Sequence, residues 1–156
     1  MTQEDKELLI KDLCARLPYG VKFCFANSNT YTIKGIDLIV TDEGNWEYAV
    51  TAKGIDPIEI KYVKPYLRPM SSMTEEEAKE MFGVLYPYRN VTVEIEQDKV
   101  RYGYIENDNF CHVIFHFNDI YSLEQLDWLN SHHFDYRDLI KKDLALAAPE
   151  DMYRLK

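Results

Sequence analysis

No stretch of this chain comes near the roughly 18 consecutive apolar residues that a membrane-spanning helix requires, so a helical integral membrane protein is not expected. The N-terminus, Met1-Thr-Gln-Glu-Asp-Lys6, lacks the basic and apolar regions of a secretory leader, and a cytoplasmic location is the expectation. Cysteine is scarce. Cys14, Cys24 and Cys111 are odd in number, widely spaced and set in apolar stretches, which reads as buried free thiols rather than a disulfide framework. Neither Cys14 nor Cys24 belongs to a C-x-x-C pattern, which removes thioredoxin-like and zinc-ribbon readings. G-x-G-x-x-G, P-loop, H-E-x-x-H and G-x-S-x-G patterns are missing as well, so no catalytic residue, cofactor or metal is assigned. Internal repeats and low-complexity tracts are also lacking.

What is present is a single domain's worth of chain with a lopsided charge. The 156 residues carry a formal charge of −9. Residues 1–73 hold 10 acidic and 9 basic side chains, and residues 74–156 hold 17 and 9. An acidic second half repels nucleic-acid phosphates and offers carboxylates to a basic partner. Twelve Tyr, seven Phe and two Trp suit half-buried strands and also protein interfaces.

Residues 2–17 read as a helix. Thr2 caps it, Leu9, Leu13 and Leu17 recur at spacing four with Leu8 and Ile10 beside them, and Pro18 with Gly20 stops it. Residues 21–66 read as four short antiparallel strands, forming a bent sheet or small barrel. Within them Tyr31 and Ile33 point inward, then the phase changes to Ile36, Leu38 and Val40, which predicts a bulge at Gly35. After a turn at Thr41–Asn45, Trp46, Tyr48, Val50 and Ala52 alternate cleanly against Glu47, Ala49 and Thr51. Thr74 with Glu77 forms a capping box for a short helix to about Phe82, with Met73 as its staple. Turns are expected at Asn27-Ser-Asn29 and Gln97-Asp98, and Pro87 keeps 84–89 extended or turned.

Residues 91–117 carry the clearest register. Pairing Glu96 with Lys99, Ile95 with Val100, Glu94 with Arg101 and Val93 with Tyr102 sets apolar against apolar and acid against base. A turn at Glu106–Asn109 then sets Cys111 beside Tyr104, Val113 beside Tyr102 and Phe115 beside Val100. Ser122 with Gln125 opens a helix with Leu123, Leu126 and Leu129 on its inner face, His132-His133 ends it, and Asp135 caps a final helix to about Ala147. The fold class is α+β: an N-terminal helix, the bent sheet or small barrel, a three-stranded antiparallel meander and C-terminal helices. One compact domain over 1–156 is expected, with possible sub-lobes at 1–73 and 74–156.

Three side-chain groups compete as sites. His112 and His116 share the meander's outer face with Glu94 and Arg101, an arrangement that admits general acid–base work. Four residues along a strand separate the two imidazoles by roughly 13 Å, too far to chelate one ion. His132 and His133 diverge on a helix and suit its C-terminal dipole. Lys61, Tyr62, Lys64, Tyr66 and Arg68 interleave cations with aromatics, as a barrel stacking single-stranded nucleic acid would, though strand-edge lysines serve solubility equally well.

The segments Lys64-Pro-Tyr-Leu-Arg-Pro-Met-Ser-Ser-Met-Thr-Glu-Glu-Glu77 and Asp127-Trp-Leu-Asn-Ser-His-His-Phe-Asp-Tyr-Arg137 carry a resemblance, together with Leu139-Ile140, Leu144-Ala-Leu146 and Ala148–Tyr153. They resemble short proteins of gut-bacterial phages and prophages for which no activity is established. The resemblance implies a cytoplasmic accessory protein of a mobile element. The Tyr-rich composition, the acidic second half and the missing catalytic signature make the leading expectation a non-enzymatic protein that binds another protein, with Trp128, Tyr136 and Arg137 as candidate anchors. The alternatives are an acidic anti-defence protein that mimics nucleic acid, a nucleic-acid-binding small barrel, and a hydrolase using His112 or His116. The oligomeric state is left open.

Overall fold

The capping chemistry read from the sequence places the helices. Thr2 Oγ1 accepts from the Asp5 N–H at 3.1 Å and Asp5 returns the bond, opening α1 (Gln3–Arg16). Pro18 turns the chain into a 3-10 segment, and Gly20, at φ 70°, closes it in a left-handed conformation that glycine adopts without strain. The structure is a computed structural model that describes residues 1–25, 29–83, 91–96, 99–117, 119 and 121–153. The expected turn residues Asn27-Ser28 and Gln97-Asp98 and the 84–89 segment lie outside the described residues.

The fold is α+β, organised as two compact units, Met1–Leu67 with Asp138–Lys156, and Arg68–Arg137. These bounds differ from a division at 73/74, because the C-terminal segment supplies Leu139, Leu144 and Ala145 to the first unit's core.

In the first unit, β1 (Lys22–Phe25), β2 (Asn29–Val40), β3 (Trp46–Ala52), β4 (Ile55–Glu59) and β5 (Lys64–Leu67) form antiparallel pairs in the order β4-β3-β2-β1-β5. The bulge falls where expected: Ile33 faces Ala52 and Gly35 faces Thr51, so Lys34 is the extra residue. Leu9 and Leu13 of α1 join Phe23, Ile33, Val50, Ile58 and Leu67 in the core. Asp12 and Arg16 are fully buried with them, as an i,i+4 bidentate pair at 2.7 and 3.0 Å. Cys14 sits on the exposed side of α1, so it is not a buried thiol, whereas Cys24 and Cys111 are half-buried.

The final helix expected over 135–147 is replaced by turns. Asp138 and Asp143 adopt φ of 57° and 58°, one hydrogen-bonded turn joins Lys142 to Asp138, and the chain leaves it for a short strand. That strand, β9 (Leu146–Ala147), runs parallel to β5 and makes the sheet mixed. Aspartate tolerates the left-handed region better than most residues, which permits this path.

In the second unit, α2 (Glu75–Gly83) opens with the expected Thr74/Glu77 box. The meander follows in the order β6 (Thr92–Ile95), β7 (Lys99–Glu106), β8 (Asn109–His116), with every expected rung in place. Asn107 and Asp108 both take positive φ, the signature of a two-residue type I′ hairpin turn. α3 (Leu123–Ser131) carries the Ser122/Gln125 box, with Leu129 buried and Leu126 packed against the core as expected and Gln125 and Trp128 buried beside them. Leu123 is 81% exposed and not inward as its spacing implied. Phe82, Val100, Tyr102, Trp128, Leu129 and Phe134 fill this unit's core.

Candidate functional site

The bulge at Lys34 reverses the facing of β2, so Ile36, Leu38 and Val40 lie on one side of the sheet with Tyr48 and Trp46 opposite them. The core ends before this face does. Val50 is fully buried and Ile36 packs against the core, but the next two rungs, Leu38 against Tyr48 and Val40 against Trp46, stand in solvent. Their exposures are 54%, 42%, 55% and 68%. Four large apolar side chains on two adjacent rungs form a contiguous patch, unlike the scattered apolar residues of an ordinary surface.

The turn beyond the patch is closed by backbone hydrogen bonds. The Thr41 N–H donates to the Asn45 oxygen at 2.9 Å and the Gly44 N–H to the Thr41 oxygen at 2.8 Å, with Gly44 at φ 79°. Beside the ladder runs an open groove lined by Phe25, Val40, Ile55, Ile58 and Tyr62. Asp42 and Asp56 stand on its rim, Glu43 lies in the same turn, and none of these three forms an ion pair among the described residues. The site is an apolar strip beside an acidic margin, suited to contact rather than to bond-making chemistry.

The sequence-derived anchors lie elsewhere and do different work. Trp128 is 8% exposed, stacked on His132 at 3.9 Å and on Phe134 at 5.7 Å between ring centroids. Tyr136 donates its hydroxyl proton to Asn130 Oδ1 at 3.0 Å and accepts from Arg137 at 2.9 Å, and the Arg137 guanidinium lies over its ring. The three side chains fix the junction after α3, with Trp128 inside the core. His132 caps that helix by donating Nδ1–H to the Trp128 carbonyl oxygen at 2.9 Å, and His133 follows it with φ 60°.

His112 and His116 are exposed on the outer face of β8, opposite Gly103 and Lys99. Glu94 and Arg101 pair with each other across β6 and β7 at 3.5 Å, and neither histidine shares that bond. Among the described residues no group of three or more His, Cys, Asp or Glu is arranged to hold a metal ion.

The Lys61–Arg68 run is divided between the two units, and its cations are engaged. Lys61 bonds Glu59 at 2.7 Å and lies over the Tyr62 ring, while Lys64 bonds Asp143. Arg68 grips Glu77 with both nitrogens, at 2.6 and 2.9 Å, and covers the Phe134 ring. Burial pushes the Glu77 carboxyl up, but the bonds from Arg68 and Thr74 outweigh it and hold the group below its ordinary value.

Alternation alone does not distinguish the ladder residues from Ile36 and Val50, whose pattern they continue. The available signal was positional: they flank the acidic turn at the far end of the hairpin. No helix among the described residues is long and apolar enough to cross a membrane. No protein-family model, curated protein or solved structure matches this chain.

Proposed function

We propose that this protein works by binding another protein through the Leu38/Tyr48 and Val40/Trp46 rungs, as a cytoplasmic accessory protein of a mobile element. The observation that carries the reading is the exposed ladder itself. Trp and Tyr are the residues that most often dominate interface energetics, and here each sits opposite an aliphatic partner on an antiparallel hairpin. Asp42, Glu43 and Asp56 select the partner's chemistry: an apolar segment flanked by Lys or Arg. The engaged cations of the Lys61–Arg68 run favour a protein over a nucleic acid as partner.

The test is recovery of a partner from bacterial lysate on immobilised protein, with and without nuclease, using wild type and a Val40→Asp/Trp46→Asp variant. Both substitutions replace exposed side chains, so far-UV circular dichroism should be unchanged. One stoichiometric protein held by wild type, indifferent to nuclease and lost by the variant, is the expected result. A partner held equally by the variant, or recovered only when nucleic acid is intact, overturns the reading.

A further inference from the structure

Among the described residues the two sheets have four edges, and three of them are blunted. β4 carries Pro57 and Asp56 beside a register irregularity, β9 is two residues long, and β6 is four residues long with Glu94 on it. The fourth, β8, has eight residues in unbroken register with β7, with no proline, lysine or bulge. An edge of that kind is an open template for another strand.

Its usable length can be read from the hydrogen bonds. The Glu96 N–H donates to the Lys99 oxygen, so Lys99 directs its backbone toward β6, and alternation along β7 turns Val100, Tyr102, Tyr104 and Glu106 toward β8. Asn109, Cys111, Val113 and Phe115 therefore bond to β7, and Phe110, His112, Ile114 and His116 direct theirs outward. His116 is already taken: its N–H donates to Asp119 Oδ2 at 2.7 Å and its oxygen accepts from the Asp119 N–H at 2.9 Å. For Phe110, His112 and Ile114 no outward partner exists among the described residues. The open segment is Phe110–Ile114, and its midpoint is His112.

The geometry points to a second copy of this chain as the occupant, paired antiparallel along β8 with the two-fold axis at His112. In that register Phe110 opposes Ile114 of the second copy, and each exchanges both backbone bonds with its opposite number. Ile105, Phe110 and Ile114 are 46%, 67% and 40% exposed on this face, and Ile105 already neighbours Phe110 across the hairpin. Two-fold pairing joins the three from each copy into continuous apolar rows, giving aromatic–aliphatic cross-strand pairs. Charge agrees with the same register. Asp108, in the turn, comes opposite His116 of the second copy, with Lys99 next in that row. The product is one six-stranded antiparallel sheet built from residues of the second unit, none of which belongs to the ladder proposed for the partner protein.

Two measurements test the register. In a Cys14→Ser background, His112→Cys places two thiols opposite each other at about 5.5 Å between Cα atoms, within disulfide range. Ile114→Cys puts them several residues apart. Mild oxidation is expected to cross-link the first rapidly and the second slowly if at all; equal rates would overturn the proposal. Sedimentation velocity supplies the second measurement. Wild type should show concentration-dependent dimer, Phe110→Lys and Ile114→Glu should each be monomeric, and mixing the two variants should restore a heterodimer through a Lys–Glu pair. A wild-type chain that stays monomeric up to about 1 mM, the weak limit of measurable association, removes the idea.

Discussion

The Tyr153 hydroxyl donates to the Tyr66 carbonyl oxygen at 2.9 Å and accepts from the Lys22 N–H at 2.9 Å, tying the C-terminal segment to β1 and β5. Burial pushes its phenol up to about 12; the Lys22 bond and the Arg16 charge oppose the rise, and Tyr66 adds to it. A raised value means that the fold favours the neutral phenol. Its stabilisation is thus complete below the unfolded value near 10 and is lost as pH climbs through 12. Tyr153→Phe should flatten that alkaline limb in urea titrations and cost about 1–2 kcal/mol at neutral pH for the lost hydrogen bonds. A limb of unchanged slope would assign the alkaline sensitivity to other tyrosines. The Asp12–Arg16 pair makes a second residue-scale case. Asp12→Ala takes from a fully buried guanidinium its bidentate carboxylate and should cost about 3–5 kcal/mol. Asp12→Leu/Arg16→Met should recover most of that loss, because two well-packed apolar residues need no desolvation of charge. A double variant as weak as the single would mean that Arg16 is held by more than Asp12.

At the scale of the element, the meander shows how closely two strands can be fitted. A Cβ added at Gly103 would lie 2.5 Å from Thr92 Oγ1 and 2.8 Å from Phe110 Cζ, so strands on both sides crowd the position. Gly103→Ala should therefore cost about 1–3 kcal/mol in urea unfolding. Adding Phe110→Ala should relieve only part of this, since Thr92 remains. The same meander was the most legible part of the sequence, because each rung satisfies two independent requirements, apolar inside and opposite charges outside, and a slip of one residue violates both. Helix starts were legible for a similar reason: a capping box is local chemistry, as at Thr74/Glu77 and Ser122/Gln125. What alternation cannot encode is where a core stops. Leu38, Val40, Trp46 and Tyr48 repeat the pattern of buried Val50 yet stand in solvent, so the candidate site was hidden inside a correctly read strand. The C-terminal segment failed differently. Leu139 and Leu144, five residues and so about 140° apart on any helix, reach one core because positive-φ aspartates bend the chain around them.

At the scale of the whole chain, the two units differ in how they are assembled. The second is one unbroken segment, Arg68–Arg137, with its own core of Phe82, Val100, Tyr102, Trp128, Leu129 and Phe134. The first is discontinuous: its sheet is complete only after the chain has passed through the second and returned with Leu139, Leu144, Ala145 and β9. A stop codon after Arg137 is therefore an asymmetric lesion. It removes three buried side chains, the parallel strand beside β5 and the Tyr153 hydroxyl from one unit, and no core residue from the other. Hydrogen exchange on the truncated chain should show amides of β1–β5 unprotected, while those of β7, β8 and α3 keep their protection, since cooperative opening follows packed units. Loss of protection throughout would show that the segment 68–137 depends on the returning C-terminus for its own stability. Retention in β1–β5 would show that the first five strands suffice without it. The expected asymmetry follows from chain order alone: a core built from one continuous segment can form during synthesis, whereas a core that needs residues 138–153 must wait for them.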